Sequence, residues 1–373
     1  MSSFVHICAE YFLLYIFPCT GIACGLFQRY GGGMLEHRKV LITCALWNSE
    51  EYIREELDSV VAQTFTNWEM ILANDSANEA TMEIIHEFMD KDPRFLLMGN
   101  DTGRHGSHGN NRNLIINADT KNDSYDYYAY LDNDDIWKPN KLETYVRKAE
   151  EIRREKGEDT PICFTCNMET IDTYGNLLSP DFASVYPYEI KHPMDAFLTH
   201  RVFGCNLFID KRVHAALRQI MSDPDFPETI SYDNLTYQVA AALDADLSFI
   251  PEVLMSYRRH SYNTTKGAVY RITPGYFLKS LAGIRTVIHN NAFIARDSID
   301  SIDYILQLDL PEQKRKELLE VREGLEKGGI PAMRMWHKYR ISCGNRIRTI
   351  ENWLSLCLGL ERKYMDRNNY PEL

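Results

Sequence analysis

The chain has 373 residues, 45% hydrophobic and 25% charged, values that exclude a disordered, collagen-like or multi-span membrane protein and leave room for one large domain with an appendage or for two domains. Its 41 Lys and Arg stand against 53 Asp and Glu, a net charge of -12 that argues against nucleic acid as the main partner, because phosphate backbones need clustered cations. The nine cysteines, scattered from Cys8 to Cys357, lack the dense pairing of a disulfide scaffold and point to a reducing compartment.

In chain order, residues 1–37 read as an apolar extension. Tyr11 to Phe27 carries no charge and approaches the roughly 17 to 25 residues of a membrane span, but Glu10, Pro18 and two glycines weaken it. Two readings stay open: a weak membrane segment, with Arg29, Arg38 and Lys39 holding the next domain on the cytoplasmic side, or a stretch ahead of a natural start at Met34. Three N-glycosylation triplets begin at Asn122, Asn234 and Asn263 and matter only in a secreted chain.

From Lys39 the chain alternates. Val40 to Leu46 reads as a buried strand, Glu51 to Ala62 as an amphipathic helix, Trp68 to Ala73 as a strand and Glu79 to Met89 as a helix. A short strand Phe95 to Met98, a Gly-rich loop Gly99 to Gly109, a helix Asn111 to Ala118 and a strand Tyr127 to Leu131 come next. This alternation predicts an α/β fold with a doubly wound, mostly parallel sheet whose ligands lie at the carboxyl ends of its strands. The pair Cys163 and Cys166 falls in a strand, where positions three apart face opposite sides, against a zinc or redox site.

The chemistry-bearing residues fall at those strand ends. Asp75, in Asn74-Asp75-Ser76, either accepts a base N–H or caps the next helix. Neither a G-x-G-x-x-G nor a Walker A loop comes after the first strand, where Ala45-Leu46-Trp47-Asn48 stands, and this argues against a dinucleotide cofactor. After the fourth strand comes Asp132-Asn133-Asp134-Asp135, whose crowded carboxylates repel unless a cation neutralises them. Magnesium or manganese suits such hard oxygen ligands; the alternative is an acidic turn capping the helix that starts near Pro139.

Taken together, Val40 through Asn48, Asp58 through Phe65, Asn74-Asp75-Ser76, Arg112-Asn113 and Leu131 through Trp137 with Pro139, Lys141 and Leu142 resemble the family 2 inverting glycosyltransferases of GT-A fold, over roughly Lys39 to Asn263. The resemblance implies that Asp75 binds a pyrimidine and that Arg112 lies near the base or diphosphate. It further implies that Ala45, Asn48, Asp132 and Asn133 line the nucleotide-sugar site and that Asp134 coordinates a metal. The chain departs from the family in having Asn74-Asp75-Ser76-Ala77 where Asp-Asp-Gly-Ser is common, and Trp47 where Tyr is common. In Ser231-Tyr232-Asp233-Asn234, Asp233 takes the place of the family's catalytic base at an expected helix start, although Tyr232 replaces the usual Glu; Asp225 and Glu228 are fallback bases. Tyr257-Arg258-Arg259-His260 resembles a Y-R-x-H element and offers His260 as a metal ligand. Phe203-Gly204-Cys205-Asn206 resembles the family's small-residue strand beside the sugar or serves backbone packing, and Arg104, His105 and His108 in the Gly-rich loop either contact phosphate or stay at the surface.

After about Tyr270 helices dominate, at Phe277 to Asn290, Ala295 to Leu308 and Pro311 to Lys327. The stretch His337 to Leu360 mixes Lys338, Arg340, Arg346 and Arg348 with Trp353 and leucines, and suits either a membrane surface or docking on the preceding domain. The expected division is residues 1–37 extension, 38–268 GT-A domain and 269–373 helical region. The expected function is inverting transfer of a hexosyl or deoxyhexosyl group from a UDP- or dTDP-sugar to a glycan or lipid-linked acceptor, with Mn2+ or Mg2+, in the cytoplasm or at the cytoplasmic face of the membrane, in cell-envelope polysaccharide synthesis. The alternatives are a non-catalytic nucleotide-sugar or glycan-binding protein and a sugar nucleotidyltransferase, for which Cys44 through Asn48 lacks the triphosphate loop.

Overall fold

The computed structural model describes residues 35, 37–119, 125–184, 192–200, 202–260, 284–344 and 346–365. The apolar stretch Tyr11 to Phe27, the glycosylation triplets at Asn122 and Asn263, and the expected division at 268/269 lie outside the described residues. The triplet at Asn234 is buried within a helix.

β1 (Val40–Leu46) is buried almost throughout, as a central parallel strand covered on both faces must be. It pairs in parallel with β2 (Trp68–Asn74) and β4 (Tyr127–Asp132), and β3 (Phe95–Gly99) extends the parallel block beyond β2. α1 (Ile53–Val61) and α2 (Glu79–Lys91) cover one face through Ile53, Leu57, Val60 and Ile85, while α3 (Gly106–Asn117) covers the other. Cys163 and Cys166, in β6 (Cys163–Ile171), belong to the cores on opposite faces, as the strand reading requires.

Beyond β4 the parallel pattern ends. The sheet order is β3-β2-β1-β4-β8-β6-β9-β5, with β7 (Leu177–Ser179) paired to β6. β8 (Phe208–Asp210) is antiparallel to both β4 and β6, β9 (Phe249–Arg258) is parallel to β6, and the two-residue β5 (Ile136–Trp137) is antiparallel to β9. The sheet is therefore mixed, with helices α4 (Lys141–Lys156), α5 (Lys211–Met221) and α6 (Tyr232–Ala242) completing the α/β fold.

The helical region holds α7 (Ile284–Ile305), α8 (Glu312–Lys327), α9 (Gly329–Tyr339) and α10 (Arg346–Cys357). Where the sequence pattern suggests two helices between 277 and 308, α7 is continuous from Ile284: no Gly or Pro breaks it, and Ala292, Ala295, Ile299 and Ile302 keep a buried stripe at helical spacing. The break between α9 and α10 has a backbone cause, since Arg340 turns left-handed at φ 48°. α7 is docked on α6 by polar pairs, Asn234 Nδ2 to Asp297 Oδ2 at 3.0 Å and Gln238 Nε2 to Ser298 Oγ at 3.0 Å. Among the described residues no helix is long and apolar enough to cross a membrane.

Candidate active site

Register brings the first pieces together. Ala45 of β1 lies opposite Ala73 of β2 and Asp132 of β4, so the chain leaves β2 toward Asp75 and β4 toward Asp134 on either side of one strand end. The strand order reverses there, β2 lying on one side of β1 and β4 on the other, which opens a crevice at the carboxyl ends. A cleft of about 1270 Å³ occupies it, and its walls include Ala45, Asn48, Asp75, Asp132, Asn133, Asp134, Asp233 and His260.

Asp75 is buried and heavily engaged. Its Oδ1 meets Asn100 Nδ2 at 3.0 Å and His105 Nδ1 at 2.5 Å, and its Oδ2 accepts from the Gly106 amide at 2.7 Å. Burial favours the neutral acid, yet the hydrogen bonds from His105, Gly106 and Asn100 hold the carboxyl below its usual range. His105 thus has a carboxylate partner that sequence spacing does not reveal. The helix expected from Asn111 begins five residues earlier, at Gly106, because this contact and the bond from Asn110 Nδ2 to Ala73 O at 2.8 Å fasten its first turn to the sheet.

The acidic turn is clipped from both sides. Asn133 Nδ2 donates to Trp47 O at 3.1 Å, and the buried Arg258 donates from Nε to Asp134 O at 2.9 Å and from Nη2 to Glu55 Oε2 at 2.5 Å. Asp135 is wholly buried, its Oδ1 accepting from the Arg258 amide at 2.9 Å, so it supports the turn from behind. Asp134 Oδ2 and His260 Nε2 lie 2.6 Å apart, and the His260 ring stacks on Tyr52 at 5.4 Å. Burial, then Asp134, then Asp233 push the Asp132 carboxyl up to about 7. Beneath them Glu56 is fully buried, has no hydrogen-bond partner on either oxygen, and is raised by burial first and Asp134 next.

These donors fit a divalent cation. Crowded carboxylates, of which Asp134 helps to raise the Asp132 pKa, form with the neighbouring imidazole an oxygen and nitrogen set that suits manganese or magnesium. The tighter group of Asp132, Asp135 and Cys205 fits less well, because burial keeps the Cys205 thiol protonated.

Asp233 enters the cleft from the first turn of α6, with Ser231 as N-cap; its Oδ1 accepts from Ser231 Oγ and from the Asn234 amide at 2.7 Å. The expected donor contact of Arg112 is corrected: its side chain does not line the cleft but donates to Met221 O at 2.7 Å and Asp223 O at 2.8 Å, tying α3 to the end of α5. Arg104 likewise binds Phe226 O, Pro224 O and Glu228, which removes Arg104 as a phosphate contact and Glu228 as a base; Asp225 also lies outside the lining. Reading the sequence missed Tyr52, His200, Ile294 and Arg348, which line the cleft from the residue before α1, the segment before β8, α7 and α10. Only Tyr52 carries a local hint, since it stands less than two helical turns ahead of the Asp58-Ser59 run.

Residues 42–167 match the family described as glycosyl transferase family 2. The chain carries a glycosyl transferase family 2 domain. The glycosyltransferase is 26% identical over 237 residues to an uncharacterized glycosyltransferase of Rickettsia prowazekii (strain Madrid E), covering 62% of this chain and 68% of that protein. It is 27% identical over 229 residues to one of Methanocaldococcus jannaschii, covering 61% of this chain and 72% of that one. Among solved structures, S. aureus TarS 1-349 in complex with UDP-GlcNAc aligns with TM-score 0.49 and 15% identity, over 89% of this chain and 82% of that one. The sheet of the chain has a parallel block that ends in the acidic turn.

Proposed function

We infer that this glycosyltransferase moves a hexosyl or deoxyhexosyl group with inversion from a UDP- or dTDP-sugar to a hydroxyl of a glycan or lipid-linked acceptor, assisted by Mn2+ or Mg2+. One observation carries the reading: Asp75, Asp134, His260 and Asp233 face one cleft at the carboxyl ends of β1, β2 and β4.

Each residue then has a task. The hydrogen bonds to Asp75 take three of the roughly four acceptor positions of a carboxylate, which leaves one for a pyrimidine N–H. Ala45, Asn48, Asp132 and Asn133 line the nucleotide-sugar site around it. Asp134 and His260 hold the cation, which when bound neutralises charge on the departing nucleoside diphosphate. Asp233, with Oδ1 engaged by Ser231 and Asn234, takes the acceptor proton on Oδ2. Inversion results from a single displacement with one base. Residues 38–268 are read as the catalytic unit and 269–373 as its helical companion.

A bilayer contact belongs to the same reading. Ile350, Trp353, Leu354 and Leu358 are exposed on and just after α10, near Arg346, Arg362 and Lys363, which suits an anionic lipid surface on the cytoplasmic side. The test of the activity is a thermal-shift panel of UDP- and dTDP-sugars with and without Mn2+, then an assay of nucleotide release. Metal-dependent stabilisation and release of UDP or dTDP are expected, with Asp233→Asn still binding donor but not turning it over. Pyrophosphate release would instead indicate a nucleotidyltransferase, and binding without turnover a binding protein.

A further inference from the structure

Six acidic side chains line the cleft. Glu50, Glu51, Asp75, Asp132, Asp134 and Asp233 all contribute, and among the described residues the only Lys or Arg in its lining is Arg348, delivered by the first turn of α10. A chain with net charge -12 does not place a guanidinium there by composition alone.

The surroundings of Arg348 locate it. It shares the lining of the cleft with His200, whose Nε2 lies 3.1 Å from Asp297 Oδ2 on α7. That same Asp297 oxygen accepts from Asn234 Nδ2 at 3.0 Å, and Asn234 is the residue next to Asp233. Burial opposes a charge on His200, but Asp297 first and Asp233 next raise its pKa above the ordinary value. Two groups able to carry positive charge therefore line the cleft together with Asp233, and His200 is joined through Asp297 to the residue beside it. Asp75, where a nucleobase would bind, has quite different neighbours in Asn100, His105 and Gly106.

An acceptor arriving at Asp233 enters a cleft that six carboxylates line. A neutral sugar needs no cation to approach them, whereas an anion does, and guanidinium pairs with phosphate oxygens through two parallel hydrogen bonds. The diphosphate of the donor would have its counter-charge in the cation that Asp134 and His260 would hold. We propose that Arg348, with His200 beside it, forms a phosphate-binding subsite on the acceptor side of the cleft, so that the acceptor is a phosphate-bearing glycan or lipid carrier rather than a neutral saccharide. The proposal rests on Asp233 marking the acceptor side, and it gives the helical region a role in choosing the substrate.

The experiment uses the full chain saturated with Mg2+ and UDP, titrated calorimetrically with glycerol 1-phosphate against glycerol, and with geranyl phosphate against geraniol. Both or either of the phosphates should bind while the matching alcohol does not; glycerol 1-phosphate binding assigns a phosphate-bearing glycan, and geranyl phosphate binding alone assigns a lipid carrier. Arg348→Ala should weaken phosphate binding at least tenfold and leave UDP affinity within twofold, with Arg348→Lys intermediate and with a wild-type melting temperature as the folding control. Absence of phosphate binding to wild type, or equal binding by Arg348→Ala, overturns the proposal. Weakened UDP binding with unchanged phosphate binding overturns it too, by assigning Arg348 to the donor. Failure of the underlying reading shows separately, as UDP binding to wild type that ignores Mg2+.

Discussion

Gly204 sits in a short 3-10 turn beside the cleft, and an added Cβ there would lie 1.8 Å from Tyr232 Oη and 2.5 Å from Cζ. Tyr232 cannot yield easily, because it is buried between the rings of His108 and Tyr130. Overpacking of this kind costs about 1–3 kcal/mol, so Gly204→Ala should shift urea denaturation by that amount. The strain falls on the residue immediately before Asp233, and a base displaced by about 1 Å loses about 100-fold in rate. The predicted outcome is folded protein that binds nucleotide and releases it from the sugar donor about 100-fold more slowly. Tyr232→Phe removes the nearest atom and leaves Cζ at 2.5 Å, so the double variant should recover part of both losses, with a coupling energy of about 0.5–3 kcal/mol. Gly204→Ala with the denaturation midpoint and turnover of wild type would refute the claim that this turn fixes Asp233 through Tyr232.

Asp134→Asn should lower Mn2+ affinity in the presence of UDP by at least about 100-fold, measured by calorimetry; undiminished affinity removes Asp134 from the ligand set. Ser76 holds φ 65°, a left-handed conformation where the family commonly has Gly, so Ser76→Gly should raise the unfolding free energy by about 0.5–1 kcal/mol, and a lower melting temperature would contradict this. His214 stacks on Tyr128 at 3.6 Å with neither ring nitrogen hydrogen-bonded, and burial, then Arg218, push its pKa down to about 3 from 6.5. Its contribution is complete above pH 6.5; below that the unfolded chain takes a proton that the folded one refuses, so stability falls by about 1.4 kcal/mol per pH unit toward pH 3. At about pH 5 the loss from this group is about 2 kcal/mol, which His214→Phe should abolish; equal denaturation midpoints for the two proteins across about pH 5 to 7.5 would show otherwise.

The first half of the fold is readable because buried parallel strands appear as unbroken apolar runs, and β1, β2 and β4 end where those runs meet Asn48, Asp75 and Asp132. The second half is not, for β5 has two residues and β8 three, too few to display a period of two. Their pairing depends on β9, more than 100 residues beyond β5, and on β6. The start of α3 is hidden for another reason. Gly106-Ser107-His108-Gly109 has poor helix propensity and folds as helix because Asp75 receives its first amide and Asn110 binds Ala73 O, while Gly109 leaves room for the Arg104 carbonyl that a side chain there would strike.

Arg112 and Arg348 show why motif and geometry part company at the site itself. Arg112 stands in a recognisable block, but a residue of α3 that faces the end of α5 cannot also face the cleft, and its hydrogen bonds to Met221 and Asp223 decide between the two. Arg348 stands in no motif and reads from sequence as one more cation on a basic amphipathic helix. Its place in the cleft depends on three long-range facts: α7 packs on α6 through Asp297 and Ser298, α10 packs on α7, and the first turn of α10 then falls beside His200. Local pattern reports the chemistry that a strand end can carry, since the sheet fixes where that end points. A cation from the far end of the chain enters the site only through the packing of whole helices, and it is such residues, set apart from the family's blocks, that are free to differ between relatives that share the reaction and differ in acceptor.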